Sequence, residues 1–273
     1  MKYDILLPFR DYLESTCSKN TARTYYSAVV KLFKDQQFND IAQIDPAFLE
    51  KALPERFKTR NEFSAAKNGL KRLKEYYPQL QLPKEEFFHD VSSKKRNRSR
   101  KPKKTIYLDT VQRKVNQMRN PKLKYAYRLA MISGLRVSEL SALQASDIHF
   151  QDGTIFVDVK HGKGGSNGTI ECLPDVYLYQ HLQDYIKQRT EENLFYSEAH
   201  MRKEALSLDL ECHDFRRIFA IQLKNKLKQE GELPPEKINA AVQEALRHQR
   251  FSTTKRYLYN RKLYIKPKKE ASK

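Results

Sequence analysis

Residues 91 to 104 read VSSKKRNRSRKPKK, and this run constrains the fold of the 273-residue chain more than any other feature. After Val91 it offers nothing apolar to a core, and its like charges repel one another. It is expected to be an extended basic linker rather than part of a packed body. The chain then divides into a first domain over 1–88, a linker over 89–104, a second domain over 105–265 and a basic tail over 266–273.

Both flanking stretches have material for a core: 39% of the chain is hydrophobic, with 16 Tyr and 14 Phe, which excludes wholesale disorder. Lys and Arg number 52 against 33 Asp and Glu, a formal charge of +19. A surplus of that size favours polyanions, because each phosphate neutralised by a basic side chain releases condensed counterions. No apolar run approaches the roughly 20 residues of a spanning helix, and MKYDILLPFRDY carries acids where a signal peptide would be apolar. A cytoplasmic, membrane-free protein is expected. Cys17, Cys172 and Cys212 are far apart, odd in number and in no CxxC arrangement, so they are expected to be reduced packed thiols.

The first domain reads as helices: PFRDYLEST, NTARTYYSAVVKLFKDQ, DPAFLEKAL and NEFSAAKNGLKRLKEYY. Asn20 or Thr21 could cap the second. In the fourth, Lys67, Lys71 and Lys74 share a face opposite Phe63, Leu70 and Leu73; that face is either simply solvated or a set of phosphate contacts. The linker adds Lys94, Lys95, Arg96, Arg98 and Arg100 as candidate DNA contacts. Beyond it, LKYAYRLAMIS is an apolar helix stopping at Gly134, and VSELSALQ follows as another. TIFVDVK alternates, HGKGGSNG turns and TIECLP returns as a hairpin. HDFRRIFAIQLKNKL, PEKINAAVQEALRH and TTKRYLYNRKL read as helices, the last with Ser252 as its expected N-cap. The fold class expected is an all-α first domain and a mainly α second domain with a small antiparallel sheet.

Polar residues gather at the edges of these elements: Arg136, Lys163 at the hairpin tip, His213 with Arg216, His248, and then Tyr257 and Tyr259. Each alone is ordinary. Arg136 could pair with Glu139, and Lys163 could be a solvated turn lysine. Together they match the needs of attack on a phosphodiester. Two guanidinium forks can grip both nonbridging oxygens; imidazoles can donate or take the phenol proton, and an ammonium can protonate the leaving oxygen. With so much positive charge supplied by side chains, and no Asp/Glu cluster at ligand spacing, neither a metal nor any other cofactor is expected. On a helix, Tyr257 and Tyr259 point about 200° apart, so one phosphate cannot meet both.

The blocks GLRVSELSALQASDI, HGKGG, HDFRR and LRHQRFSTTKRYLY resemble, in order and spacing, the catalytic boxes of tyrosine recombinases, the phage-integrase and Xer-like family. NTARTYYSAVVKLF is similar to that family's helical core-binding domain, and the resemblance extends over roughly 5–260. It implies that the first domain binds core DNA and the second is catalytic. It further implies that Arg136 and Arg216 clamp the scissile phosphate, that His248 supports the same oxygens and that His213 takes the nucleophile's proton. Lys163, with Lys160 as the alternative, would be the general acid, Glu139 would buttress Arg136, and Tyr257, nine residues after the histidine of its box, would be the nucleophile. Three positions depart from the family: Arg247 where Gly is usual, Arg217 where His is frequent, and no further basic residue after the GKG.

The implied activity is site-specific cleavage and rejoining of double-stranded DNA at core sites through a 3′-phosphotyrosyl link. It would need no ATP, serve integration, excision or resolution by a mobile element, and be carried out by a homotetramer on DNA. The resemblance leaves room for a monomer free in solution and for accessory DNA-bending proteins, and implies no arm-binding module before the core-binding helices. The tail with Leu258, Leu263, Tyr264 and Ile265 could dock in cis or on a neighbouring subunit. The rival readings are relaxation by a type IB topoisomerase, a non-catalytic DNA-binding regulator and a basic RNA-binding protein.

Overall fold

The computed structural model describes residues 4–34, 36, 38, 40–96, 105–160, 162, 167–188, 193–231, 233–259 and 263–264. The chain forms two compact units, Met1–Lys101 and Pro102–Lys273.

The first unit is helical: α1 (Leu7–Thr16), α2 (Lys19–Leu32), α3 (Pro46–Arg56), α4 (Arg60–Tyr76) and α5 (Glu85–Lys94). Asp45 caps α3 ahead of Pro46, and Thr59 with Glu62 forms a capping box on α4. Phe9, Leu13, Val29, Leu32, Phe63, Leu70 and Leu73 fill the core. At Gly69 a Cβ would lie 3.0 Å from the Tyr25 carbonyl oxygen, so the missing side chain lets α4 approach α2 closely. Helix α2 begins one residue earlier than expected, capped not by Asn20 or Thr21 but by Ser18, whose hydroxyl accepts from the Thr21 N–H.

The linker expectation needs correcting at its start, because α5 runs across residue 89 and continues to Lys94. Buried Phe88 and half-buried Val91, three apart on one face, dock it on the core. Arg60 donates to the carbonyls of Ser92 and Ser93 at 3.1 and 3.3 Å, which satisfies the helix end. Lys94 pairs with Asp90 one turn back. Two apolar residues at helical spacing therefore outweigh a run of charge. Lys95 donates to the Pro54 carbonyl and Arg96 bridges to Thr59. Arg98 and Arg100, with the rest of 97–104 and the tail from Ile265 onward, lie outside the described residues.

The second unit opens with β1 (Ile106–Tyr107), α6 (Leu108–Asn116), α7 (Pro121–Ser133) and α8 (Val137–Ala142). An antiparallel sheet follows, β2 (Ile148–Gln151), β3 (Thr154–Val159) and β4 (Gly168–Glu171), in the order β2-β3-β4. Then come α9 (Val176–Lys187), α10 (Glu198–Ser207), α11 (Cys212–Glu230), α12 (Pro235–Ala245), α13 (Phe251–Leu258) and β5 (Leu263–Tyr264). The expected hairpin is present, with Ile155, Val157 and Val159 buried. Strand β2 extends it into three strands through a tight turn at Asp152 and Gly153, both at positive φ. Helices α6, α9 and α10 add to the elements expected from the sequence.

Helix α7 packs on α11, where Tyr127 stacks on Phe215 at 4.5 Å and donates to the Met201 carbonyl. Strand β5 pairs in parallel with β1 of the same chain, so this stretch of the tail is held in cis. Helix α13 begins at Phe251 with Arg250 at its N-cap position, so Ser252, expected there, lies inside the first turn. Among the described residues no helix is long and apolar enough to cross a membrane.

Gly134 ends α7 in the left-handed conformation, φ 64°, and a Cβ there would lie 2.4 Å from the Phe219 ring. Gly134→Ala is therefore expected to destabilise the second unit by about 3 kcal/mol, from backbone strain and overpacking together. Urea unfolding measures it, and a loss under 1 kcal/mol would show that Phe219 yields freely.

Candidate active site

Four helix ends converge on one cleft. Arg136 stands at the start of α8, and its backbone N–H donates to Glu139 Oε2 at 2.7 Å while its Nη1 donates to Oε1 at 2.7 Å. The sequence allowed this pairing, and its burial makes it matter: the Glu139 side chain is 1% exposed. Burial pushes the Glu139 carboxyl up, but the Arg136 N–H and the Arg247 and Arg136 guanidinium groups outweigh it and hold it below the usual carboxylate range.

Helix α12 ends in a Schellman motif: the His248 N–H donates to the Gln243 carbonyl and the Arg247 N–H to the Glu244 carbonyl. Arg247 is the left-handed residue of this motif, φ 51°. A glycine is the usual occupant of such a position. The Arg247 side chain turns inward and its Nη2 donates to Glu139 Oε2 at 2.5 Å, while Arg136 Nη2 donates to the Arg247 carbonyl at 3.3 Å.

His248, the next residue, has Nε2 3.4 Å from Arg216 Nη2 and Nδ1 2.9 Å from Thr254 Oγ1. An arginine can only donate, so Nε2 faces it as the acceptor and Nδ1–H donates to Thr254. Arg216, on the first turns of α11, is fully buried beneath the cleft. It donates to the carbonyls of Gly134 and Leu246, tying together the ends of α7 and α12. Desolvation, then Arg136, lowers its guanidinium to about 10. Arg217 pairs with buried Asp214.

Tyr257 on α13 places its hydroxyl 3.1 Å from His213 Nδ1, with its ring 5.9 Å from the Arg216 guanidinium and 5.8 Å from that of Arg217. Tyr259 points elsewhere and accepts from Lys224 at 3.1 Å. Arg136, Arg202, His213, Arg247, His248 and Tyr257 line an open cleft of about 490 Å³.

The sequence-predicted set thus comes together at Arg136, Glu139, His213, Arg216, His248 and Tyr257, with Arg216 under the floor rather than in the wall. Lys163 lies outside the described residues. The alternative, Lys160, pairs with buried Asp147 at the base of the hairpin. In the first unit Lys67 and Lys71 both bind Glu85, at 2.9 and 2.6 Å, and hold its carboxyl down to about 2, whereas Lys74 is exposed. Among the described residues no group of three or more His, Cys, Asp and Glu could hold a metal ion.

Both histidines are held neutral. Desolvation, reinforced by Arg216, Arg136 and Arg247, lowers His248 to about 4, and desolvation with Arg202 and Arg216 lowers His213. In the unfolded chain both titrate near pH 6.5. Between there and about pH 4 the unfolded state binds more protons, so stability is full above pH 6.5 and falls as pH drops. Thermal melts of the DNA-free protein from pH 7 to 5 should show a falling Tm, and His248→Gln should flatten that slope. Parallel slopes for the two proteins would contradict the assignment.

Guanidinium groups wall the cleft, and within it a phenol rests against a neutral imidazole. The chain belongs to the phage integrase family, whose match covers residues 104–263. It is 40% identical over 77 residues to tyrosine recombinase XerA of Pyrococcus furiosus, a stretch that is 28% of this chain and 26% of that relative's length. Its fold resembles lambda integrase, solved as a dimer bound to a COC′ core site, with 15% identity, TM-score 0.66 and coverage of 98% of this chain and 96% of that one. It also resembles XerH recombinase bound to palindromic difH substrate in a post-cleavage complex, with 17% identity, TM-score 0.64 and coverage of 92% and 81%.

Three contributors escaped the sequence reading. Thr254, fully buried, lies three residues before Tyr257 on the same helix, and that spacing was a usable signal. Arg202 carries none, since nothing in EAHMRKEALS points to a cleft in a later helix. The role of Arg247 depends on a partner 108 residues away.

Proposed function

We propose that this chain is a site-specific DNA recombinase that cleaves and rejoins double-stranded DNA through a 3′-phosphotyrosyl intermediate, with integration, excision or resolution as its outcome. The observation that carries the reading is the 3.1 Å contact between the Tyr257 hydroxyl and the neutral His213 Nδ1 beside a guanidinium-lined cleft. Neutral Nδ1 can accept the phenol proton as the Tyr257 oxygen attacks phosphorus. The bond to the 5′ oxygen breaks, and that oxygen takes a proton, a role we assign to Lys163, leaving a free 5′ hydroxyl. Arg136, with Arg216 behind it, offsets the charge developing on the nonbridging oxygens. An entering phosphate supplies the negative charge that lets His248 take a proton and donate to it.

Rejoining reverses these steps: a 5′ hydroxyl from the partner duplex attacks the phosphotyrosine, and the Tyr257 oxygen leaves with a proton. The bond energy is kept in the link, so no ATP is consumed. Exchange between two duplexes takes four tyrosines, which makes the acting form a homotetramer on DNA. We further assign core-site binding to the helical first unit, α5 included, with exposed Lys74 among its contacts, and catalysis to the second unit.

The test uses a pool of nicked duplexes with a randomised core. After the nick the short 5′-hydroxyl fragment diffuses away, so a cleaving enzyme stays trapped. Wild-type protein should give a denaturation-resistant DNA–protein band whose recovered DNA has converged on a core sequence. Efficient linking to every sequence alike would favour a topoisomerase, and no band would contradict the reading.

A further inference from the structure

Arg247 places a third guanidinium beside the clamp, and two observations show what it does there. First, it occupies a left-handed position that glycine adopts without strain and arginine does not, so its side chain is present at the expense of the turn. Second, it shares one buried carboxylate with Arg136: Glu139 Oε2 accepts from Arg247 Nη2, Oε1 accepts from Arg136 Nη1, and the Arg247 carbonyl accepts from Arg136 Nη2. Arg136 is thereby held from both ends by a single residue and its ion-pair partner.

The Arg247 side chain is only 12% exposed, and its Nε and Nη1 have no hydrogen-bond partner among the described residues. These two nitrogens have almost no accessible surface, although Arg247 borders the cleft.

We propose that Arg247 is a positioning residue for the phosphate clamp, acting through Glu139 and its own backbone carbonyl to fix the Arg136 guanidinium. This inference rests on the recombinase reading above. Glu139 alone would balance a single arginine. With Arg247 present the buried carboxylate is shared, so Arg136 is left with positive charge to offer an incoming phosphate while its geometry stays fixed. The Schellman turn that carries Arg247 also delivers His248, so one turn sets two parts of the clamp.

The experiment compares wild type, Arg247→Gly, Arg247→Lys, Glu139→Gln and the double variant Arg247→Gly/Glu139→Gln in the full chain. Glycine suits the backbone, so Arg247→Gly should fold, with a Tm no lower than that of Arg247→Lys. On the selected nicked duplex its linking rate should fall roughly tenfold, within the range of coupling between residues in contact, while duplex affinity is unchanged. Arg247→Lys should recover part of the rate. Arg247→Gly should add nothing in the Glu139→Gln background. Full additivity there would overturn the proposal in favour of direct phosphate contact, and an unchanged rate in Arg247→Gly would overturn it outright. Titration with inorganic phosphate separates this from the functional reading. If wild type links no DNA but Arg247→Gly still binds phosphate more weakly, the recombinase reading fails and the positioning role stands; equal phosphate affinities with no linking overturn both.

Discussion

Tyr257→Phe should lose covalent linking to nicked DNA by a factor on the order of 10⁴ or more, while still binding the same duplex. Tyr257 packs against the small apolar cluster that contains Phe219, Val242 and Leu246, and its ring faces the guanidinium groups of Arg216 and Arg217; phenylalanine keeps those contacts. Only the hydroxyl and its 3.1 Å contact to His213 are removed. Tyr259→Phe should link at close to the wild-type rate, because that phenol is 53% exposed and accepts from Lys224. The assay is a denaturing gel of both variants on the selected duplex, and reversed behaviour of the two would place the nucleophile two residues along.

Arg136→Ala and Arg216→Ala should both slow linking by on the order of 10² to 10³, the effect of removing one preorganised donor from a developing oxyanion. Their stabilities should differ sharply. Arg136 is partly exposed, and its removal leaves Glu139 still bound by the backbone N–H of residue 136 and by Arg247, so the melting temperature should change little. Arg216 is fully buried, and its loss strands the carbonyls of Gly134 and Leu246, which at about 1–3 kcal/mol for each unsatisfied group costs roughly 2–6 kcal/mol in all. Rates on the selected duplex and urea unfolding read the two effects separately. Equal stabilities would show that Arg216 does not tie α7 to α12.

Much of this site could be read from sequence because its residues sit at element edges with local signals. Gly134 marked the helix end before Arg136, His213 and Arg216 shared a face, and the spacing from Tyr257 to Tyr259 turned one phenol away. The remainder depended on contacts distant in sequence. Arg216 looked like a cleft arginine in HDFRR, yet its partners are carbonyls 82 and 30 residues away, and they draw it under the floor. Arg247 looked like an intrusion where glycine belongs; only the fold brings Glu139 within reach. The start of the basic run over 91–104 departs from expectation for a related reason: composition predicts solvation, but it does not register that Phe88 and Val91 can dock a helix whose last carbonyls Arg60 satisfies.

The central claim, that Tyr257 carries the DNA, can be read from one peptide. Trypsin cuts after Arg256 and after Arg261, releasing YLYNR, which holds both candidate phenols. Wild-type protein trapped on the nicked duplex, digested with nuclease and trypsin and sequenced by tandem mass spectrometry, should carry the residual nucleotide phosphate on the first residue of that peptide. The phosphate on its third residue, or on any peptide elsewhere in the chain, would contradict the account.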